Sequence, residues 1–154
     1  MNEKVAGLVR DLEAKNTEFR LLELTGKAMT AKDVIKFSNE EVDVDDICKT
    51  IIWKTNRGLI GVFLKGGDRI NLDKLQKFLN SKAAMASSEE VKEKTGLEPG
   101  AVCPLLLGMP IVMDKQVFDM EKVIFGSGDH SYEIEMNPNH ILKLTHATIA
   151  KVSD

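Results

Sequence analysis

Two apolar runs of strand length, Lys49–Thr55 and Leu59–Lys65, are separated by only three residues, Asn56-Arg57-Gly58. A short connection containing glycine between two such runs is typical of a β-hairpin. We therefore predict an antiparallel pair of strands here. The first strand would begin with a lysine, Lys49, in otherwise apolar surroundings.

A second segment, Gly96–Asp114, is apolar but interrupted repeatedly by glycine and proline. This composition predicts a tight loop lined by backbone and lying between strands, rather than a helix. Lys49 facing such a loop would make a pocket for an anionic or carbonyl-bearing ligand. The other interpretation of Lys49 is an edge residue whose ammonium group reaches solvent.

The remaining elements are short and do not repeat a β-α-β order. Apolar residues at helical spacing predict a helix over residues 2–15, and Asn71 and Asn137-Pro138 are helix-start signals. Further strands are expected at 19–24, 111–113, 122–125, 131–136 and 147–152. We therefore predict an α+β fold over residues 1–154, one compact domain with a central mixed or mainly antiparallel sheet of about six or seven strands surrounded by helices.

Composition excludes several classes of protein. No apolar run approaches the roughly 20 residues of a membrane span. The two cysteines do not make a disulfide framework, which favours a reducing cytoplasm. A net charge of −3 argues against a protein that coats nucleic acid along its whole surface.

The charge is unevenly distributed. Residues 49–82 carry 8 Lys or Arg against 2 Asp or Glu, whereas the flanking parts are acidic. One interpretation is a solvated hairpin and helix face; the other is a local phosphate-binding face. The candidates for contacts with a nucleic-acid backbone are Lys54, Arg57, Lys74 and Lys77.

Several short motifs, taken in order, resemble the YbaK/ProX family of free-standing aminoacyl-tRNA deacylases, relatives of the editing domain of bacterial prolyl-tRNA synthetases. The motifs are Lys49-Thr50, Gly100–Pro104, Met109–Asp114, Phe125–Gly128 and the tail from Tyr132 to Val152. The resemblance covers nearly the whole chain from about Phe19 onward. It implies hydrolysis of a mischarged tRNA, cysteinyl- or alanyl-tRNA for proline, without a cofactor or metal.

The same resemblance implies roles for particular residues. Lys49 stands at the family's functional lysine, and the backbone amides of Gly100 and Ala101 would stabilise the tetrahedral intermediate. Thr50 is typical of relatives that act on cysteinyl-tRNA, whereas those that act on alanyl-tRNA tend to have Asn. Other expected substrate contacts are Phe19, near a pocket tyrosine of some relatives, Val102, Cys103, where many relatives have Ser, Pro104 and His130.

Neither cysteine is assigned as a nucleophile. A catalytic cysteine needs a positioned base, and no histidine can be assigned to Cys48 or Cys103, so both are interpreted as small buried residues. The three histidines lack metal-ligand spacing. His130 is equally consistent with a solvated turn. Water activated by the terminal ribose hydroxyl, or the thiol of the substrate, is the expected attacker.

The expected partners are the 3′ acceptor end of tRNA and prolyl-tRNA synthetase, with the protein a monomer or homodimer. The alternative function is a non-catalytic module that binds an aminoacyl-adenosine end and docks to a synthetase.

Overall fold

The computed structural model describes residues 1–154. It contains six α-helices, two short 3-10 helices and eight strands. The helices are α1 Glu3–Ala14, α2 Ala31–Phe37, α3 Leu72–Leu79, α4 Ser88–Thr95, α5 Lys115–Phe118 and α6 Pro138–Thr145, and the 3-10 helices are Val44–Asp46 and Pro104–Leu106. The strands are β1 Arg20–Glu23, β2 Cys48–Thr55, β3 Gly58–Lys65, β4 Ala83–Met85, β5 Ile111–Asp114, β6 Val123–Gly126, β7 Tyr132–Met136 and β8 Thr148–Ala150.

The α+β class is confirmed, but the strands divide between two sheets instead of forming one. A five-stranded sheet has the order β4-β2-β3-β5-β8, and a three-stranded sheet has the order β1-β7-β6. The predicted hairpin is β2 and β3, which pair antiparallel from Cys48 opposite Lys65 to Thr55 opposite Gly58. β5 and β8 continue the larger sheet in parallel, so that sheet is mixed.

The main core lies between the two sheets. Phe63 of β3 and Phe125 of β6 are fully buried there, with ring centroids 5.6 Å apart and perpendicular planes. A second apolar cluster joins the outer face of the large sheet to Leu75 of α3. A third packs Val34 of α2 and Ile47 against Leu22 and Ile124 of the small sheet. Each sheet is therefore covered on both faces.

Local signals explain where the helices begin. The side chain of Asn71 accepts a hydrogen bond from the amide of Lys74 at the start of α3, and Thr30 and Asp33 form a reciprocal capping box at the start of α2.

The glycine- and proline-rich segment differs from its prediction. Gly100–Cys103 lies between α4 and a 3-10 helix that begins at Pro104, not between two strands.

The site depends on where β4 stops. β4 pairs with β2 only from Trp53 to Thr55, and Ile47, just before β2, forms an isolated bridge with Ile124 of β6, so the edge of β2 between these two contacts pairs with no strand on that side. None of the six α-helices has the length and apolar composition of a membrane-spanning segment.

Candidate functional site

One cavity of about 470 Å³ opens along the uncovered edge of β2. Its walls come from β2, from the loop that leads into α2, from the loop after α4, and from the small sheet. Four of the predicted site residues, Lys49, Thr50, Gly100 and Val102, line it together. The two sequence segments predicted to face each other therefore share one cleft.

The edge of β2 presents backbone polar groups to this cavity. The carbonyl of Ile47 accepts from Gly66 on the β3 side, whereas the carbonyl of Ile52 accepts from Ala86 on the opposite side. Because backbone groups alternate in direction along an antiparallel strand, the N–H and C=O of Thr50 point away from β3, toward the open edge. The hydroxyl of Thr50 is buried without a hydrogen-bond partner. A ligand can therefore pair with both the main chain and the side chain of Thr50.

Lys49 is half-buried and lines the cavity. Its Nζ lies 3.0 Å from the carbonyl oxygen of Gly66, to which it donates. Burial lowers the pKa of Lys49, the negative charge of Asp68 opposes that shift, and Arg69 adds to it. The ammonium group thus has only a carbonyl as a direct partner and no ion pair, which leaves it able to attract an anionic ligand.

The loop after α4 approaches the cavity through glycine. Gly100 has φ +83°, and a Cβ atom there would lie 2.8 Å from Met29 Cα, so only glycine fits the backbone and the contact. Gly126 plays a similar part in β6, because a Cβ atom there would lie 2.9 Å from the carbonyl oxygen of Val102. These close approaches hold the loop between the α2 entrance and the small sheet.

The two amides predicted to stabilise an oxyanion differ. The N–H of Ala101 donates to the carbonyl of Glu98 at 3.0 Å, and Ala101 is 1% exposed, so its amide is already used in a turn. The N–H of Gly100 has no partner within the protein. Of the two, only Gly100 can offer its amide to a ligand without breaking an existing hydrogen bond.

Other predicted substrate contacts lie outside the cavity. Cys103 and Pro104 are buried, and Phe19 packs against the core between the sheets. His130 lies in the connection between β6 and β7, and its Nε2 is 2.8 Å from the carbonyl oxygen of Pro99. It therefore holds the residue before Gly100 instead of lining the cavity.

The four basic residues predicted for a nucleic-acid backbone are in different situations. Lys54 forms an ion pair with Glu90 at 3.2 Å, and Arg57 donates to the carbonyl of Leu79. Lys74 donates to the carbonyl of Ser153 at 3.1 Å, which ties α3 to the C-terminal segment. Lys77 is exposed and lines a shallow polar depression with Lys82.

The one acidic residue that lines the cavity is not among the predicted site residues. Glu133 of β7 lines the cavity, is 5% exposed, and its Oε2 is buried without a hydrogen-bond partner. Desolvation raises its pKa to about 8. Side chains alternate along β7, so Ile134 lies in the core and Glu133 lies on the opposite face of the strand. From the sequence alone that face could be exposed to solvent. In the structure α2 covers it.

Neither cysteine is a candidate nucleophile in this geometry. Burial raises the pKa of both Cys48 and Cys103 to about 12, although Cys48 lines the cavity. No group of three or more His, Cys, Asp or Glu side chains is placed to hold a metal ion.

The chain belongs to the aminoacyl-tRNA editing domain family, whose sequence model matches residues 25–144. It is 32% identical over 105 residues to the proline–tRNA ligase of Lactococcus lactis subsp. lactis (strain IL1403), covering 67% of this chain and 17% of the ligase. It is 27% identical over 137 residues to that of Staphylococcus aureus (strain bovine RF122 / ET3-1), covering 86% of this chain and 24% of the ligase. The chain therefore spans a quarter or less of each of these two relatives.

Solved structures share the fold over nearly the whole chain. The hypothetical protein APE2540 has a TM-score of 0.87 at 26% identity, covering 96% of this chain and 99% of that one. A candidate trans-editing enzyme for prolyl tRNA synthetase also has a TM-score of 0.87, at 22% identity, covering 100% and 99%. The resemblance drawn from the short motifs is confirmed at the level of the family.

Proposed function

We propose that this protein deacylates mischarged tRNA, and that its substrates are cysteinyl- or alanyl-tRNA for proline. The observation that carries the proposal is the meeting of Lys49, the open edge of Thr50 and the unbonded amide of Gly100 in one cavity. Membership of the editing family and similarity to parts of proline–tRNA ligases support an editing role on tRNA.

The cavity suits the acylated end of a tRNA. Its volume of about 470 Å³ is within the range of small-molecule sites, about 300–1,000 Å³. A synthetase pocket built for proline cannot strongly reject a smaller amino acid, so hydrolysis at a second site supplies the missing selectivity. The acyl group would lie against Thr50, with the terminal adenosine toward the exposed rim residues Met29 and Met85.

The chemistry requires little from side chains. Water adds to the ester carbonyl carbon, and the carbonyl oxygen takes up negative charge in the tetrahedral intermediate. The N–H of Gly100 donates to that oxygen, and Lys49 stabilises the developing charge or holds the terminal phosphate. The ester C–O bond then breaks, the ribose oxygen receives a proton, and free amino acid and tRNA leave. Water, activated by the adjacent ribose hydroxyl, is the attacker. With cysteinyl-tRNA the substrate thiol can attack instead: its proton passes to the leaving ribose oxygen, and the cysteine β-thiolactone that forms is then hydrolysed by water to free cysteine.

The test is the release of amino acid from a panel of mischarged tRNAs. Cysteinyl- and alanyl-tRNA for proline should be cleaved well above the rate in buffer, and correctly charged prolyl-tRNA should not. Repeating the panel with Lys49→Ala distinguishes hydrolysis in the cavity from hydrolysis by contaminating esterases. Rates equal to buffer for every substrate, together with tight binding of a non-hydrolysable aminoacyl-adenosine analogue, would instead support a binding module that docks to prolyl-tRNA synthetase.

A further inference from the structure

Glu133 and Glu135 occupy the same face of β7 but differ in their surroundings. Glu135 forms an ion pair with Arg20 at 3.2 Å, in a shallow pocket away from the cavity. Glu133 faces the cavity, opposite Gly126 in the register of the small sheet and 5% exposed. The same strand face thus carries two carboxyl groups, one paired with an arginine at Glu135 and one unpaired at Glu133.

The carboxyl group of Glu133 has no compensation within the protein. Its Oε2 has no hydrogen-bond partner, and burial is the only cause of its raised pKa. A buried carboxyl group without a donor is destabilising, and the charged form more so. A ligand that brings a cationic donor into the cavity would remove that penalty, whereas an apolar ligand would leave it.

The cavity has charged groups of opposite sign in separate places. Lys49 is its only basic residue and Glu133 its only acidic one. Lys49 lies beside Gly66, and it is not among the charges that shift the pKa of Glu133. The remaining walls are mainly apolar. An occupant therefore fits best with its oxygen-rich part near Lys49 and a positively charged group near Glu133.

We propose that Glu133 binds the α-ammonium group of the aminoacyl ester and so selects aminoacyl groups over acyl groups that lack it. This inference rests on the proposed function, because an aminoacyl ester carries one cation, its α-ammonium, next to the carbonyl that is attacked. Glu133 is then a specificity-determining residue: it touches the substrate but not the bond that breaks. Fixing the ammonium also fixes the carbonyl relative to the Gly100 amide.

The first experiment compares alanyl-tRNA with lactyl-tRNA, made from it by deamination with nitrous acid, which replaces the ammonium with a hydroxyl group of similar size. The kcat/KM of each is divided by its rate in buffer. The wild-type protein should prefer alanyl-tRNA by about 10- to 100-fold, the range expected for a hydrogen bond to a charged group. Glu133→Gln should reduce that preference to within about twofold, while Glu135→Gln, the matched control, retains it.

Two results would overturn the assignment. An equal fall for both substrates in Glu133→Gln would place the carboxyl group at the reacting atoms, and an unchanged preference would leave it a structural residue. Thermal melting of both variants checks that they are folded.

A second experiment separates this inference from the proposed function. Binding of 3′-alanylamino-3′-deoxyadenosine and of its lactyl counterpart, both non-hydrolysable amides, is measured by calorimetry. If the protein hydrolyses nothing but binds the alanyl compound more tightly, with the difference lost in Glu133→Gln, the recognition stands and the deacylase proposal fails. Equal affinity for the two compounds in the wild-type protein would refute the recognition.

Discussion

The Nε2 atom of His130 lies 2.8 Å from the carbonyl oxygen of Pro99, so the β6–β7 connection is tied to the residue that precedes Gly100. A carbonyl only accepts, so Nε2 carries the hydrogen. We expect His130→Ala to lower the deacylation rate constant by up to about fivefold, because one neutral hydrogen bond is worth about 1 kcal/mol. His130→Gln, which keeps a donor, should recover part of the loss. His140→Ala is the matched control, and single-turnover rates at saturating protein provide the measurement. An affinity change alone would contradict the positioning role.

Gly100 and Gly108 both have left-handed backbones, with φ +83° and +62°, but only Gly100 has a neighbour against which a side chain would press. Gly108→Ala should cost roughly 1–2 kcal/mol in the free energy of unfolding, the penalty of that backbone conformation for an L-residue. Gly100→Ala should cost more and also abolish most activity, because its Cβ would lie 2.8 Å from Met29 Cα and displace the loop. Urea denaturation and deacylation assays on both variants give the comparison. Equal losses of activity would show that the contact with Met29 does not matter.

Lys49 and Lys77 should affect different steps. We expect Lys49→Ala to lower the single-turnover rate constant at saturating protein while the fold is retained, because Lys49 would meet charge that develops only in the transition state. Lys77 is exposed on α3 and can meet only a phosphate that is bound equally before and during reaction. Lys77→Ala should therefore weaken tRNA binding modestly and flatten its salt dependence. If Lys49→Ala shifts affinity alone, Lys49 is one more phosphate contact.

The thiols of Cys48 and Cys103 should be inert in the folded protein. With each pKa raised to about 12 by burial, almost no thiolate exists near neutral pH. We expect iodoacetamide at pH 8 to leave activity unchanged and to label both residues only at the rate at which the chain unfolds. Mass spectrometry in increasing urea measures this. Rapid labelling of Cys48 without urea would mean that the cavity opens far enough to ionise its thiol.

The features that could be predicted from the sequence depend on local signals. The hairpin is specified by two apolar runs and a short turn, and α1 by the spacing of Val5, Leu8 and Leu12, all buried. The meeting of Lys49 with the Gly100 loop followed from the order of motifs in a known family. These are cases in which a short stretch of chain, or its resemblance to relatives, carries the information.

Features that depend on contacts between distant parts of the chain could not be predicted. The strand β4 has three residues, too few for a pattern, yet its length decides how much of the β2 edge stays open. Lys74 looked like a free cation, but its partner is a carbonyl 79 residues away in the C-terminal segment. The place of Glu133 in the cavity could not be predicted, because alternation along a strand gives two faces and not what covers them.

The buried carboxyl group of Glu133 should make stability depend on pH. Burial raises its pKa from 4.5 to about 8, so between those values the folded protein holds a proton that the unfolded chain has lost. The contribution of Glu133 to the free energy of unfolding should therefore fall as pH rises through this range and level off above it, by at most a few kcal/mol.

The comparison with Glu133→Gln isolates this contribution. The variant has no proton to lose at this position, so its stability relative to wild type should increase from pH 5 to pH 8. The other titratable groups lining the cavity, Cys48 and Lys49, are present in both proteins and cancel in the difference. Urea denaturation at pH 5, 6.5 and 8 provides the values, with Glu135→Gln as a control for loss of a carboxyl group from the same strand face. Parallel pH curves for wild type and Glu133→Gln would show that the carboxyl group ionises freely in the fold, because water or a rearranged donor then reaches it.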